Sequence, residues 1–154
     1  SKVKPLGATM TGIPLVKSVM TAFPHSIALD APWKSAEELM ARHAIRHLPV
    51  VEGGKLVGII SERDVNLGMS LSPSAYDSKQ LKVSAAYIPQ PYAVEMNARI
   101  DIVLREMVER HIGSAIVTKD GKVTGIFTAT DACQHYRDLL LKVFGQPPPG
   151  TEAA

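Results

Sequence analysis

The chain contains the same sequence pattern twice. The run GIISERD at residues 58–64 returns as GIFTATD at residues 125–131, which is a spacing of 67 residues. When residues 16–64 are moved along the chain by that spacing, no gap is needed and 11 positions are identical, where average amino-acid usage predicts roughly three. A duplication of this kind predicts two similar units. If they pack face to face, a pseudo-twofold axis relates equivalent polar groups in the two units.

The first copy has the pattern of a helix followed by a hairpin. Residues 35–43 are amphipathic, and Ser35 with Glu38 predicts a capping box at the start of that helix. The apolar runs at residues 48–51 and 56–60 flank two glycines, which predicts a hairpin whose turn needs positive φ. A second helix is then expected to begin after the last strand.

The second copy repeats this plan and ends in a longer helix. It predicts a helix at residues 102–108, hairpin strands at 115–118 and 123–127, and a final helix from about residue 130 to 144 with Gly145 as its stop. The fold class predicted for the whole chain is α/β, built from tandem β-α-β-β-α repeats that are related by pseudo-twofold symmetry.

Composition shifts mark the boundaries of the repeats. The first repeat is assigned to residues 10–69 and the second to residues 81–144, with a polar, proline-interrupted linker at residues 70–80. Residues 1–15 are expected to form an arm, and residues 145–154 a disordered tail. Because a unit of this size would be marginal alone, we expect the repeats to form one fused module.

Charge and cysteine content exclude several classes of protein. The 17 basic and 15 acidic residues are scattered in both signs, so no basic stripe points to nucleic acid. The single cysteine, Cys133, excludes an internal disulfide and any Cys-x-x-Cys motif, so we expect a reducing, cytoplasmic compartment. We expect its thiol to be buried. No run approaches the ~20 apolar residues of a membrane span, which predicts a soluble protein.

No catalytic or metal site is predicted. The five histidines include no pair at helical ligand spacing with a carboxylate partner. Phosphate-loop motifs are absent, and no set of nucleophile, base and orienting group can be assembled. Trp33, Met40 and Met107 are interpreted as packing residues, whereas Tyr87 and Tyr92 are open to packing or to a ligand role.

The repeated motif carries the chemistry. Ser61 and Thr128 lie where a strand ends and a helix begins, so unpaired N–H groups and partial positive charge favour a phosphate there. The carboxylates of Asp64 and Asp131, three residues further on, could accept both hydroxyls of a ribose, and the apolar strands offer a slot for a purine. The same pattern is also an ordinary capping box, and the two roles are compatible.

Tandem β-α-β-β-α units that end in Gly-apolar-apolar-Ser/Thr-x-x-Asp resemble the cystathionine β-synthase (CBS) domain pair, also called a Bateman module. The resemblance spans residues 10–144 and includes the VMT opening at residues 19–21 and the run IRHLPVV at residues 45–51. The second copy departs from it, with AYI at residues 86–88 and GSAI at residues 113–116.

The resemblance implies two ligand sites, each of which joins the end-of-strand motif of one repeat to the opening and pre-strand segments of the other. The first would combine Thr21, Ile45, Arg46, His47, Leu48 and Pro49 with Thr128 and Asp131. The second would combine Ser61, Arg63 and Asp64 with Tyr87, Ile88, Pro89, Ile112, Gly113, Ser114 and Ala115. Because Arg46 and His47 suit a phosphate, we expect the first site to be the anion binder.

The function implied is a regulatory, non-catalytic module that senses an adenosine-containing ligand in the cleft between the repeats. AMP, ADP or ATP leads, and NAD(H) and S-adenosylmethionine are alternatives that share the adenosine moiety. No cofactor is required beyond the nucleotide as regulatory ligand. A homodimer formed through the helices is implied, and an effector protein is possible as a partner. The rival interpretation is a dimerising adaptor whose clefts stay empty.

Overall fold

A computed structural model describes residues 12–71, 73–74, 81–85 and 87–150. Its first repeat contains a 3-10 helix (Val16–Ser18), β1 (Thr21–Ala22), β2 (Ile27–Ala28), α1 (Trp33–His43), β3 (His47–Glu52), β4 (Lys55–Ser61) and α2 (Glu62–Leu71). Its second contains a 3-10 helix (Val83–Ala85), β5 (Ile88–Pro89), β6 (Ala93–Glu95), α3 (Ile100–Glu109), β7 (Ser114–Lys119), β8 (Lys122–Thr128) and α4 (Ala129–Phe144). The predicted α/β fold with tandem repeats is confirmed.

The described strands form two four-stranded sheets that exchange their opening strands. One sheet has the order β2-β3-β4-β5 and the other β1-β8-β7-β6. Strand β1 of the first repeat pairs antiparallel with β8, with Thr21 opposite Ile126, and β5 of the second repeat pairs with β4, with Ile88 opposite Ile59. Each sheet therefore contains one strand from the other repeat, and neither repeat completes its sheet alone.

Residues that lie 67 positions apart in the two repeats share the same unusual backbone angles. The hairpin turns have positive φ at both central residues, 56° and 78° at Gly53 and Gly54 and 53° and 76° at Asp120 and Gly121, as type I′ turns require. The non-glycine residues with positive φ elsewhere also fall in repeat-related pairs, Phe23 with Gln90 and Ala44 with His111. The predicted glycine hairpin of the first repeat is confirmed.

Each sheet packs its helices over a separate apolar core. Met40 lies in the first core with Trp33, and Met107 in the equivalent place of the second, so their interpretation as packing residues is confirmed. Pro49 and Ile116 are also buried but belong to neither core. Because successive side chains of a strand point to opposite faces, these two residues lie on the sheet face opposite the core.

The start of α1 corrects one prediction. The helix begins at Trp33, its N-cap residue is Pro32, and no side chain caps it, so the predicted capping box of Ser35 and Glu38 is wrong. The amide of Trp33 instead donates to the carbonyl oxygen of Leu81 at 2.8 Å. This contact satisfies the first free N–H of the helix from outside the repeat, and Ser35 falls inside the first turn.

The terminal segments and α4 differ from expectation in detail. Helix α2 continues to Leu71, so the predicted linker starts inside a helix, and most of its remainder lies outside the described residues, as do residues 1–11 and 151–154. Cys133 is exposed, and the prediction of a buried thiol is wrong, because α4 has no buried residue. Gly145 ends α4 with a φ of 82°, as predicted.

Close packing of the exchanged strands predicts a sharp response to a methyl group at Gly58. A Cβ there would overlap the ring of Tyr87 and lie 2.6 Å from the carbonyl oxygen of Ile88. We expect Gly58→Ala to lower the free energy of unfolding by about 1–3 kcal/mol, measured by urea denaturation.

Gly113→Ala is the matched control for that substitution. A Cβ at Gly113 would lie 3.5 Å from Cε1 of His47, which is an ordinary van der Waals contact. Its unfolding midpoint should stay close to that of the original chain. If the original chain and both variants had equal urea midpoints, β5 would not pack closely against β4 in solution.

Candidate functional site at the strand–helix junctions

The two repeated carboxylates have the same local geometry. In the first repeat the amide and the hydroxyl of Ser61 both donate to Oδ2 of Asp64 at 2.8 Å, and the Asp64 amide donates back to the hydroxyl at 3.2 Å. In the second repeat the amide and hydroxyl of Thr128 donate to Oδ2 of Asp131 at 2.9 and 3.2 Å. The capping interpretation is confirmed in both repeats, and each cap fixes its carboxylate at a helix N-terminus.

The exchange of opening strands brings part of the first predicted group together. The hydroxyl of Thr21, on β1, donates to Oδ1 of Asp131 at 3.2 Å. A second contact lies nearby, where Nε2 of His135 is 3.0 Å from the carbonyl oxygen of Val19. Thr21, Thr128 and Asp131 therefore meet at one place, although Thr21 is distant from the other two in sequence.

His47 lies beside the other carboxylate. It is directly opposite Ser61 in the pairing of β3 with β4, and it interacts electrostatically with Asp64. Gly113 of the second repeat lies against its ring. The sequence grouped His47 with Asp131, whereas the structure places it between Asp64 and the start of β7.

The half-buried position of His47 controls its charge. Burial lowers the pKa of the imidazole, the Asp64 carboxylate opposes that effect, and the Arg46 guanidinium adds to it, so that the pKa is below the ordinary value. The ring therefore favours the neutral form at neutral pH, in which one nitrogen donates a hydrogen bond and the other accepts one. An anion placed beside it would draw a proton onto it.

Arg46 lies on the helical side of its repeat. Its side chain is 82% exposed, and its Nε is 3.7 Å from a carboxylate oxygen of Glu62, the first residue of α2. With Ile45 it lines a cavity of about 410 Å³ between α1 and α2. In the part of the chain that the structure describes, no hydrogen bond or ion pair joins Arg46 to Thr128 or Asp131.

The remaining residues of the two predicted ligand sites differ in how exposed their side chains are. Leu48 and Ala115 are fully buried in the first and second cores, so their side chains belong to the packing. Ile112 and Tyr87 are partly buried against the cores. The exposed residues are Arg63, Ile88 and Pro89, while Gly113 is half-buried and Pro49 and Ser114 are buried.

A cavity beside Asp64 contains residues that the sequence pattern missed. It encloses about 200 Å³ and is lined by Trp33, Asp64, Leu67, Gly68, Leu71, Leu81 and Ala85. The indole nitrogen of Trp33 is buried and has no hydrogen-bond partner among the residues that the structure describes. No sequence signal relates Leu81 and Ala85 to Asp64, because backbone pairing of residues 81–85 with residues 29–33 brings them there.

The described ranges contain neither a candidate metal site nor a candidate membrane span. No group of three or more His, Cys, Asp or Glu side chains could hold a metal ion there. His25 and His43 do meet, but as stacked rings with centroids 3.6 Å apart. No helix in that part of the chain has the length and apolar character needed to cross a membrane.

Solved structures share this architecture. The CBS domain pair of protein MJ0100, in complex with 5′-methylthioadenosine and S-adenosyl-L-methionine, superposes with a TM-score of 0.72 at 24% identity and covers 83% of this chain and 99% of that one. CBSX2 in complex with AMP gives a TM-score of 0.69 at 23% identity and covers 81% and 97% of the two chains. At this identity the likeness concerns the fold.

Sequence comparison assigns the family. The uncharacterized protein YlbB of Bacillus subtilis is 32% identical over 120 residues, which are 75% of this chain and 78% of YlbB. The CBS domain model matches twice, at residues 16–67 and 83–138, and these ranges coincide with the two repeats that exchange their opening strands. The chain therefore belongs to the CBS domain family and consists of a tandem pair of such domains.

Proposed function

We propose that this chain is a regulatory module that binds an adenosine-containing nucleotide between its two repeats. The observation that carries the proposal is the repeated carboxylate, held by a capping box at a strand–helix junction and bordered by the exchanged strand of the other repeat. CBS pairs of the same fold hold 5′-methylthioadenosine and S-adenosyl-L-methionine in MJ0100 and AMP in CBSX2, and these ligands share the adenosine moiety.

The chemistry of the junction suits a ribose that carries a phosphate. A carboxylate fixed by its cap accepts hydrogen bonds from a vicinal diol without first losing side-chain entropy. The partial positive charge of the helix N-terminus behind it favours an anion, although the first helix amides, of Glu62 and Ala129, already donate to the carbonyl oxygens of Arg46 and Gly113. Arg63 is exposed one residue before Asp64, and with His47 it supplies donors for that anion.

Adenine mononucleotides are the ligands that these groups favour. Arg46 and Arg63 lie near the first-repeat junction, and two cations suit AMP, ADP or ATP better than a sulfonium compound. NAD(H) and S-adenosylmethionine remain alternatives, since both carry the adenosine group that the carboxylate would read. The module needs no resident cofactor and carries out no reaction in this proposal.

Regulation requires that ligand binding change an assembly. Helix α4 has no buried residue and exposes Tyr136, Leu140 and Phe144 along one stripe, as expected of a helix that packs against a second copy. A nucleotide would then control the pair by binding one dimer shape better than another. An effector protein would read that shape.

The second candidate is an adaptor whose clefts stay empty. The exposed apolar residues of α2 and α4, Leu67, Leu71, Tyr136 and Phe144, favour it, because they suit protein contacts whether or not a nucleotide binds. The two candidates differ in one measurable property, which is a response to nucleotides.

A nucleotide panel separates these candidates. Saturating AMP, at 100 times its dissociation constant, should add about 2.7 kcal/mol to the free energy of unfolding. The 2′,3′-dideoxy analogue should add much less, because it lacks the diol. Changing both carboxylates, Asp64→Asn with Asp131→Asn, should weaken AMP binding by about 1–3 kcal/mol for each site. The readout is thermal unfolding, with inorganic phosphate as the control ligand.

Stabilisation by AMP and by its dideoxy analogue to the same extent would exclude the carboxylates as the ribose contact. A flat response to AMP, ADP, ATP, NAD(H) and S-adenosylmethionine would favour the adaptor.

The lowered pKa of His47 predicts a dependence on pH with opposite signs for stability and binding. Without ligand, the unfolded chain takes up a proton before the folded chain does, so the free energy of unfolding should fall as pH drops below about 6.5. AMP affinity should rise over the same range, because phosphate favours the protonated ring. Calorimetric titrations between pH 8 and pH 6 measure the binding slope.

His47→Gln should flatten that binding slope, and His43→Gln is its matched control. The pKa of His43 is also lowered, by partial desolvation of its exposed ring and by the charges of His25 and Arg42 rather than by any group of the junction. The control should therefore retain the binding slope. An unchanged slope in His47→Gln would place the phosphate away from that ring.

A further inference from the structure

The two carboxylates differ in the contacts of their outer oxygen, Oδ1. At Asp131, Oδ2 accepts from Thr128 twice and Oδ1 accepts from the Thr21 hydroxyl. At Asp64, Oδ2 accepts from Ser61 twice, and no described residue donates to Oδ1. Because a carboxylate oxygen can accept two hydrogen bonds, one acceptor position of Oδ1 is already taken at Asp131, whereas at Asp64 no described residue takes either.

The difference follows from one substitution between the repeats. Thr21 and Ile88 are equivalent positions of the exchanged strands, β1 and β5, since 88 − 21 = 67. Ile88 is 51% exposed and has no hydroxyl, so the second repeat offers nothing to Oδ1 of Asp64 from this place.

A second contact reinforces the asymmetry. Nε2 of His135 on α4 lies 3.0 Å from the carbonyl oxygen of Val19, so the opening segment of the first repeat is fastened to α4 at two points. The position equivalent to His135 is Gly68 on α2, and the ring of Trp33 packs against it. A residue without a side chain leaves α2 unable to make the same contact.

We infer that Thr21 is a latch that occupies the ribose-binding oxygen of Asp131, so that the cleft at Asp64 takes an adenosine ribose first. This inference rests on the proposed function. Both hydroxyls of a ribose can donate to Oδ1 of Asp64 without competition from a described residue, whereas at Asp131 the Thr21 hydroxyl holds one of the two acceptor positions of Oδ1 and must be displaced before the second ribose hydroxyl can bind. Replacing the hydrogen bond from Thr21 with one from the ribose gains little net free energy. The Asp131 cleft is therefore the weaker one.

The sequence alone favours the opposite order. It ranks the Asp131 group as the anion binder because Arg46 and His47 are assigned to it. In the structure His47 interacts with Asp64, and Arg46 pairs with Glu62 at the start of α2. The two donor residues that the sequence assigned to Asp131 therefore lie at the junction that ends in Asp64, whose Oδ1 has no described donor.

The test isolates each cleft and then changes its latch position. Asp64→Asn leaves only the Asp131 cleft for AMP, and Asp131→Asn leaves only the Asp64 cleft. We expect the Asp131→Asn protein to keep the tighter of the two sites in calorimetric titration. Adding Thr21→Val to Asp64→Asn should tighten the remaining site by about fivefold, because an isosteric change removes only the competing hydroxyl.

The reverse substitution serves as a mirror test. Adding Ile88→Thr to Asp131→Asn installs the latch at Asp64 and should weaken that site by about fivefold. Thr130→Val in the Asp64→Asn protein is the control, since Thr130 is an exposed threonine next to Asp131 outside the latch. It should leave the AMP dissociation constant unchanged.

Three outcomes overturn the latch. The first is weaker AMP binding after Thr21→Val, which would make the hydroxyl a ligand contact. The second is loss of the tight site in Asp131→Asn. The third applies if a carboxylate variant fails to fold, and it uses an NMR titration of the unaltered chain with AMP. The latch is overturned if the amide signals of Thr128 and Asp131 shift at a lower AMP concentration than those of Ser61 and Asp64. Binding of no adenine nucleotide by any protein of the set removes the proposed function itself.

Discussion

The exchange of opening strands between the two sheets is the constraint on which the rest of the structure depends. It requires a glycine at the centre of β4 and of β8, because the side chains of Tyr87 and Met20 lie against Gly58 and Gly125. Since overpacking at such a contact costs about 1–3 kcal/mol, neither glycine is free to change. The exchange also completes each cleft, because it carries Thr21 to Asp131 and Ile88 to the neighbourhood of Asp64.

In the proposed function, one set of hydrogen bonds in the repeated motif serves both folding and binding. Capping uses one oxygen of each carboxylate together with the amide and the hydroxyl of the Ser or Thr three residues earlier. A cap of this type is worth about 1 kcal/mol. The other oxygen is oriented by that cap without being used by it. A binding group positioned in this way pays little ordering entropy when a ligand arrives.

Duplication produced two sites of equal geometry, and later substitution made them chemically different. Thr21 against Ile88, His135 against Gly68 and Arg46 against Gly113 are each a pair at the same position of the two repeats. All three differences act on the surroundings of a carboxylate that both repeats keep. Under the proposed function, unequal sites would allow the module to respond to a ligand in two concentration ranges.

The sequence by itself determined the repeat, the order of elements, the glycine hairpins and the two capped carboxylates, because each depends on contacts within a few residues. Tertiary structure decided what reaches each carboxylate. The start of α1 at Trp33 depends on an amide contact with Leu81, and the exposure of Cys133 reflects the fact that no residue of α4 is buried. The positions of His47 beside Asp64 and of Thr21 on Asp131 depend on strand pairing between distant segments. Local patterns carry no information about such pairing, and the family resemblance implied the grouping of Thr21 with Asp131 but not that of His47 with Asp64.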